Sequence, residues 1–477
     1  MLLDNRLPQD IPTGAGEPFF EVVDPATEDV IASVADTDAT VWLEALGKAV
    51  TAQASWAKFS PRTRSEIMQA IFAEITRRAD DFALTMTIEM GKPLAESLGE
   101  VTYGAEYFRW FAEEAVRVPG RLAHAPAGNG DILVTRTPVG PVLAITPWNF
   151  PLAMATRKIA PAIAAGCPVL VKPAQETPLT MLLVGKIISD ILETFGAPRD
   201  LVQILPTTDA AGMSTTLMQD GRLRKITFTG STGVGKELVK QSAENLLRTS
   251  MELGGNAPFV VHQDADLDLV LTCAMQAKMR NGGEACIAAN RFLVHEDIVE
   301  EFTSRLVGAM SAVTMGPGLN DGVTLGALIT AKQRDGIAAL VDEARAAGAT
   351  VHCGGEVPAG KGFFYPATVL SNVPSDARII KEEIFGPVAT VTSFSSLDEA
   401  IALANDTDFG LAAYGFSENI HTCRRFATEL NAGMVGINRG AISDPAAPFG
   451  GIKQSGFGRE GGTEGIEEYL DVRYVAL

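Results

Sequence analysis

One stretch, RNGGEACIAANR at residues 280–291, sets a single cysteine among glycines and small residues. Cys286 could be a buried filler, half of a disulfide, a metal ligand or a nucleophile. A reactive thiol needs a loop position, an electropositive or helix-end setting, and partners. The five cysteines, Cys167, Cys273, Cys286, Cys353 and Cys423, are odd in number, widely spaced and never arranged as CxxC. That argues against a disulfide framework and against a zinc site, so no metal is expected. Polar residues interrupt apolar segments at two further places: Asn149 in TPWNFP and Glu252 in MELGGNAP. An amide N–H can hold an oxyanion, and a carboxylate can hold a water as general base. Taken singly, Asn149 reads as well as a helix cap, and Glu252 as a turn carboxylate. The five histidines fall in no pattern resembling a hydrolase triad or HExxH, so Cys–His protease chemistry has little support.

A phosphate-binding chemistry is suggested by TFTGSTGVGKEL at 227–238, where a strand passes into a helix. Gly230, Gly235 and Lys236 imitate the GxxxxGK of a P-loop, but Glu237 stands where Ser or Thr must hold Mg²⁺, and its carboxylate would face the phosphates. The order GxxGxG is not the dinucleotide fingerprint either. What remains is that Gly230 and Ser231, at a helix N-terminus, can offer N–H groups and a hydroxyl to a pyrophosphate. Lys172, in LVKPAQETP, ends a predicted strand at the edge where a ribose or its phosphate would lie.

These residues need a scaffold. Residues 61–117 read as mostly helical, punctuated by Gly91 and Pro93. After Pro138, short apolar runs (PVLAIT, PVLVKP, LVQILP, KITFTG, TSMEL) alternate with amphipathic stretches near 151–165, 178–195, 208–219 and 233–246. Such alternation implies an α/β fold with a doubly wound parallel sheet that binds ligands at the carboxyl ends of its strands. A second alternating series starts at PFVVHQDAD and contains Cys286, which predicts a second α/β domain. DILVTRTPV and YLDVRYVAL are strands left over from both sheets, suited to pairing with each other and with another subunit.

The chain of 477 residues is long enough for two or three domains. With 39 Lys and Arg against 58 Asp and Glu, its formal net charge is −19 and no basic stripe follows the chain, which excludes nucleic acid as an expected partner. No signal peptide or 18-residue apolar run is visible, so no membrane partner and a reducing cytoplasm are expected.

TPWNFP, VKPAQETP, FTGSTGVGK, MELGGNAP, NGGEAC, EEIFGPV and PFGGIKQSGFGREGG occur in an order and spacing that resembles the aldehyde dehydrogenase superfamily over nearly the whole chain. The resemblance implies a catalytic thiolate at Cys286, an oxyanion hole from Asn149 with the Cys286 N–H, and a general base at Glu252. It implies cofactor contacts at Trp148, Lys172, Gln175, Gly230, Ser231, Glu383 and Phe385. It also implies an NAD(P)-binding domain at 1–119 and 141–253, a catalytic domain at 254–440, and an oligomerisation flap at 120–140 and 460–477, hence a homodimer or homotetramer.

Within the superfamily the chain is most similar to succinate-semialdehyde dehydrogenases, through MATRKIAPAIAAGCP, RNGGEAC and ISDPAAPFGG. Arg157, Arg280 and Ser443 match the positions that bind the substrate's far carboxylate there. Two guanidiniums suit bidentate carboxylate recognition, unless each merely pairs with a neighbouring Asp or Glu. The aldehyde substrate expected first is succinate semialdehyde, then glutarate semialdehyde or another ω-oxo acid, then a broad range. Three departures stand out. Glu284 replaces a Gln near the thiol, where it would raise the thiol's pKa or relay a proton. Ala288 leaves no partner for a local disulfide switch. Gln175 replaces a Glu that would repel a 2′-phosphate, which favours NADP, with NAD possible. A P-loop-like ATPase and a catalytically silent relative are the competing classes.

Overall fold

A computed structural model describes residues 2–14 and 18–477. The strand–helix alternation after Pro138 builds a six-stranded sheet in the spatial order Gly456–Phe457, Arg248–Glu252, Lys225–Thr229, Val142–Ile145, Val169–Lys172, Val202–Ile204. Five of its strands are parallel; the two-residue edge strand Gly456–Phe457 runs antiparallel to Arg248–Glu252. The chain moves outward from Val142–Ile145 through two strands, then returns to lay Lys225–Thr229 on its other side. That reversal opens a crevice at the carboxyl ends of these two strands.

The second series forms a seven-stranded sheet: Thr350–Cys353, Thr368–Ser371, Val388–Phe394, Ala289–His295, Ala257–Val261, Ala412–Phe416, Met434–Ile437. All its pairings are parallel except that of the edge strand Thr350–Cys353. The two left-over strands pair antiparallel with each other, Leu470 opposite Pro138 through Ala476 opposite Ile132. A short strand, Arg121–His124, joins their outer side and completes a three-stranded sheet.

The N-terminal helical region is three helices, Pro61–Arg77, Ala79–Met90 and Leu94–Glu114. The sequence reading marked the break at Gly91 and Pro93 but not that at Arg78. Gly91 ends the middle helix in the left-handed region, φ 96°, where a side chain would also meet the carbonyl of Ala327. Helix Ala153–Ala165 is buried on every side, Arg157 and Lys158 included. An all-round apolar helix belongs in a core, so two adjacent cations inside this one demand partners. Among the described residues no helix is long and apolar enough to cross a membrane, and no group of three or more His, Cys, Asp or Glu could hold a metal ion.

Candidate active site

The nucleophile loop follows helix Leu267–Met279. Asn281 and Gly282 both take left-handed φ, 55° and 61°, and the bend delivers Cys286 just before strand Ala289–His295. Gly255 lets the neighbouring loop close on it: a Cβ there would lie 2.2 Å from the Cys286 carbonyl oxygen. Half-buried Cys286 lines a cavity of about 310 Å³ together with Trp148, Asn149, Gly230, Ser231, Glu252, Glu383 and Phe385. Residues from five separate motifs thus meet where the carboxyl ends of the six-stranded sheet face the nucleophile loop.

Burial pushes the Cys286 thiol up to about 12; Arg157 pulls it down, while Glu383 and Glu252 push it further up. Glu252 ends strand Arg248–Glu252, and neither carboxyl oxygen has a hydrogen-bond partner. Burial, then the nearby Glu460 carboxyl, raises it well above the usual carboxylate range against the pull of Arg157 and Lys158. These surroundings favour its neutral form, and a cationic or polar partner coming near would favour loss of the proton. Asn149 follows strand Val142–Ile145 and is buried. Its Nδ2 donates to the carbonyl of Glu284 at 2.9 Å, which engages one of two amide hydrogens.

On the cofactor side, Ser231 caps helix Thr232–Ser242, and Glu383 accepts the Gly255 N–H at 3.0 Å. Burial moves Glu383 up to about 7, opposed by that N–H and by Lys278. Trp148 and Phe385 meet edge to face, 5.4 Å between ring centres. Lys172 is buried at the end of its strand, and Gln175 is exposed just beyond it. Burial lowers the Lys172 ammonium, opposed by Glu176 and Asp36. A helix N-terminus beside two strand ends, a buried carboxyl and an aromatic pair fits a dinucleotide. Lys236 is turned to Gln454 Oε1, 3.0 Å away.

Arg280 lines a second cavity, about 590 Å³, with Ala285 and Ile287, the sequence neighbours of Cys286, and with Gly440 and Ala441. Its guanidinium lies 5.1 Å from the Phe150 ring and 5.4 Å from that of Tyr103. Ser443 is half-buried two residues beyond Ala441. Arg157 is fully buried, ion-paired with Glu460 and 4.5 Å from the Phe449 ring, and its Nη2 has no hydrogen-bond partner. Its pairing with a carboxylate is thus real, but incomplete.

Sequence reasoning missed Lys158, Glu460, Lys92, Glu100 and Asn281. Lys158 binds Glu460 and donates to Thr229 Oγ1 at 2.6 Å; the adjacent cations in MATRKIAPAIAA were its signal. Glu284 is buried, and burial raises its carboxyl well above the usual range against the Ile329 N–H and Lys92.

Residues 12–475 match the model of the aldehyde dehydrogenase family. The chain is 53% identical to a succinate-semialdehyde dehydrogenase of Paenarthrobacter nicotinovorans, over 94% of this chain and 98% of that one. It is 41% identical to a glutarate-semialdehyde dehydrogenase of Pseudomonas aeruginosa, over 96% and 94%. Among solved structures it resembles an NADP-dependent enzyme of Escherichia coli with a TM-score of 0.94 and 40% identity, covering 96% and 95% of the two chains. The fold, the seven motifs and these likenesses agree: the chain is an enzyme and belongs to the aldehyde dehydrogenase family.

Proposed function

We propose that the protein oxidises a carboxylate-bearing aldehyde, succinate semialdehyde foremost and glutarate semialdehyde next, to the corresponding acid with NADP as preferred cofactor and NAD as a substitute. One observation carries this reading: Arg280 lines a cavity walled by Ala285 and Ile287, the two neighbours of Cys286, while Cys286 itself lines the cavity that holds the dinucleotide-binding residues. In an acidic protein, a guanidinium in that cavity suits an anionic substrate tail. The names of the two curated relatives support the substrate, and that of the E. coli structure supports the cofactor.

In this reading the Cys286 thiol passes its proton to solvent water in the cavity, and the thiolate sulfur adds to the aldehyde carbon as the C=O π pair moves onto oxygen. The alkoxide is held by the Cys286 N–H and the free hydrogen of Asn149 Nδ2, each donor lowering the barrier by about 3 kcal/mol. A bound nicotinamide would supply the hydride acceptor, leaving a thioester on Cys286. Glu252, deprotonated, takes a proton from water, the resulting hydroxide attacks the thioester, and the acid departs as the thiolate is restored. Lys172, unopposed by a carboxylate at Gln175, favours a 2′-phosphate. We assign the six-stranded sheet to the cofactor, the seven-stranded sheet to catalysis and the three-stranded flap to contact between copies in a homodimer or homotetramer.

Reduced-cofactor absorbance, followed with semialdehydes and with uncharged aldehydes of equal length, tests this. We expect kcat/KM to favour succinate semialdehyde by about a hundredfold, consistent with loss of a charge-assisted contact, and Arg280→Ala to erase most of that preference. Equal values for charged and neutral aldehydes would overturn it.

A further inference from the structure

Outside the reacting groups, the most deliberately built feature is a buried ion pair next to Asn149. Lys92 lies between helices Ala79–Met90 and Leu94–Glu114, and Glu100 lies on the second of these. Lys92 Nζ donates to Glu100 Oε2 at 2.6 Å and to the Asn149 carbonyl at 2.7 Å, and sits 4.4 Å from the Phe150 ring. Both side chains are almost wholly shielded from solvent, at 1% and 0% exposure. The other oxygen of Glu100 accepts the N–H groups of Leu152 and Ala153, at 2.9 and 3.1 Å, where helix Ala153–Ala165 starts without a side-chain cap of its own.

One ion pair therefore grips the segment 149–153 at both ends: the ammonium holds its first carbonyl and the carboxylate its last N–H groups. Asn281 Nδ2 ties the same Asn149 carbonyl, at 2.9 Å, to the Glu284 carbonyl, at 3.1 Å, and the Asn149 amide donates to that Glu284 oxygen as well. The wall bearing Asn149 and the loop bearing Cys286 are thus fastened through groups that touch neither cavity's reacting atoms. Replacing a whole buried ion pair by neutral groups is often neutral for stability, so stability alone is a weak reason for this one. Placement is a stronger reason: a misplacement of about 1 Å in a reacting geometry costs about a hundredfold in rate.

We propose that Lys92 and Glu100 are positioning residues that hold Asn149 at the distance from Cys286 needed to bind the alkoxide. The proposal rests on the reading of Asn149 as oxyanion donor. Its test is a cycle in two backgrounds, with and without Asn149→Ala, using the paired change Lys92→Gln with Glu100→Gln. The readout is the pre-steady-state rate of reduced-cofactor formation at saturating succinate semialdehyde and NADP.

Asn149→Ala alone is expected to slow that rate by about 10²–10³-fold. The paired change should slow it about ten- to hundredfold with Asn149 present, leave the cofactor KM unchanged, and have little further effect once Asn149 is gone. A rate unaffected by the paired change, or an effect that multiplies in full with Asn149→Ala, would overturn the positioning role and leave the oxyanion reading standing. A rate unaffected by Asn149→Ala would instead overturn the oxyanion reading. Should the paired variant not fold, Glu100→Gln alone, which keeps the volume and the ammonium, goes through the same two backgrounds with the same outcomes.

Discussion

Burial, with the Glu383 and Glu252 carboxyls nearby, raises the Cys286 thiol against the pull of Arg157 and of its own backbone N–H. Such surroundings favour the thiol, so the thiolate emerges only as pH rises through a value far above that of a free cysteine. Alkylation of the cofactor-free enzyme by iodoacetamide should therefore keep accelerating through pH 9 and beyond; a plateau near pH 8.5, where an exposed thiol levels off, would contradict this environment. Cys286, Asn149 and Glu252 could be picked out of the chain because each interrupts an apolar run or a glycine-rich bend at a strand or helix end. The company they keep could not. Glu460 lies 302 residues from Lys158, and nothing local in either segment announces the pairing. Glu284, two positions from the thiol in sequence, is buried, and Lys92 opposes the rise that burial gives its carboxyl.

The elements themselves were easier to read than their junctions. Most parallel strands are short apolar runs and most helices longer periodic stretches, so length and periodicity together separate them. The boundary at Arg78 carries neither Gly nor Pro, and Arg121–His124 is fully exposed with no apolar face to betray it. Loops between strands carry the tightest tolerances. Gly255→Ala would press a methyl against backbone at Cys286 rather than against a side chain that can swing aside. It should slow the first turnover at least about tenfold, given how sharply rate depends on placement. Gly336 is a useful control: it lies within helix Ala331–Ala346 with nothing within 4 Å of an added Cβ. Gly336→Ala should stabilise the protein by about 0.5–1 kcal/mol, seen as a higher midpoint in thermal unfolding, with turnover unchanged. Loss of activity there, or none at Gly255, would count against this account of the loop.

At the scale of the whole molecule, the flap is conspicuous. Val472 and Tyr474 are each 63% exposed on one face of this small three-stranded sheet, and Leu122 is 66% exposed on the other. If copies of the chain cover it, Val472→Lys with Tyr474→Lys should shift the mass measured by light scattering toward the monomer; an unchanged mass would place the contact elsewhere. The same end of the chain does a second job. Gly456–Phe457 adds the last strand beside Glu252, and Glu460 closes on Arg157 and Lys158. During synthesis, a ribosome that has already made every strand of both large sheets but the last short edge has still not produced a finished catalyst. Until residues near 460 clear the exit tunnel, Arg157 and Lys158 lack the carboxylate that pairs with both of them in the folded chain.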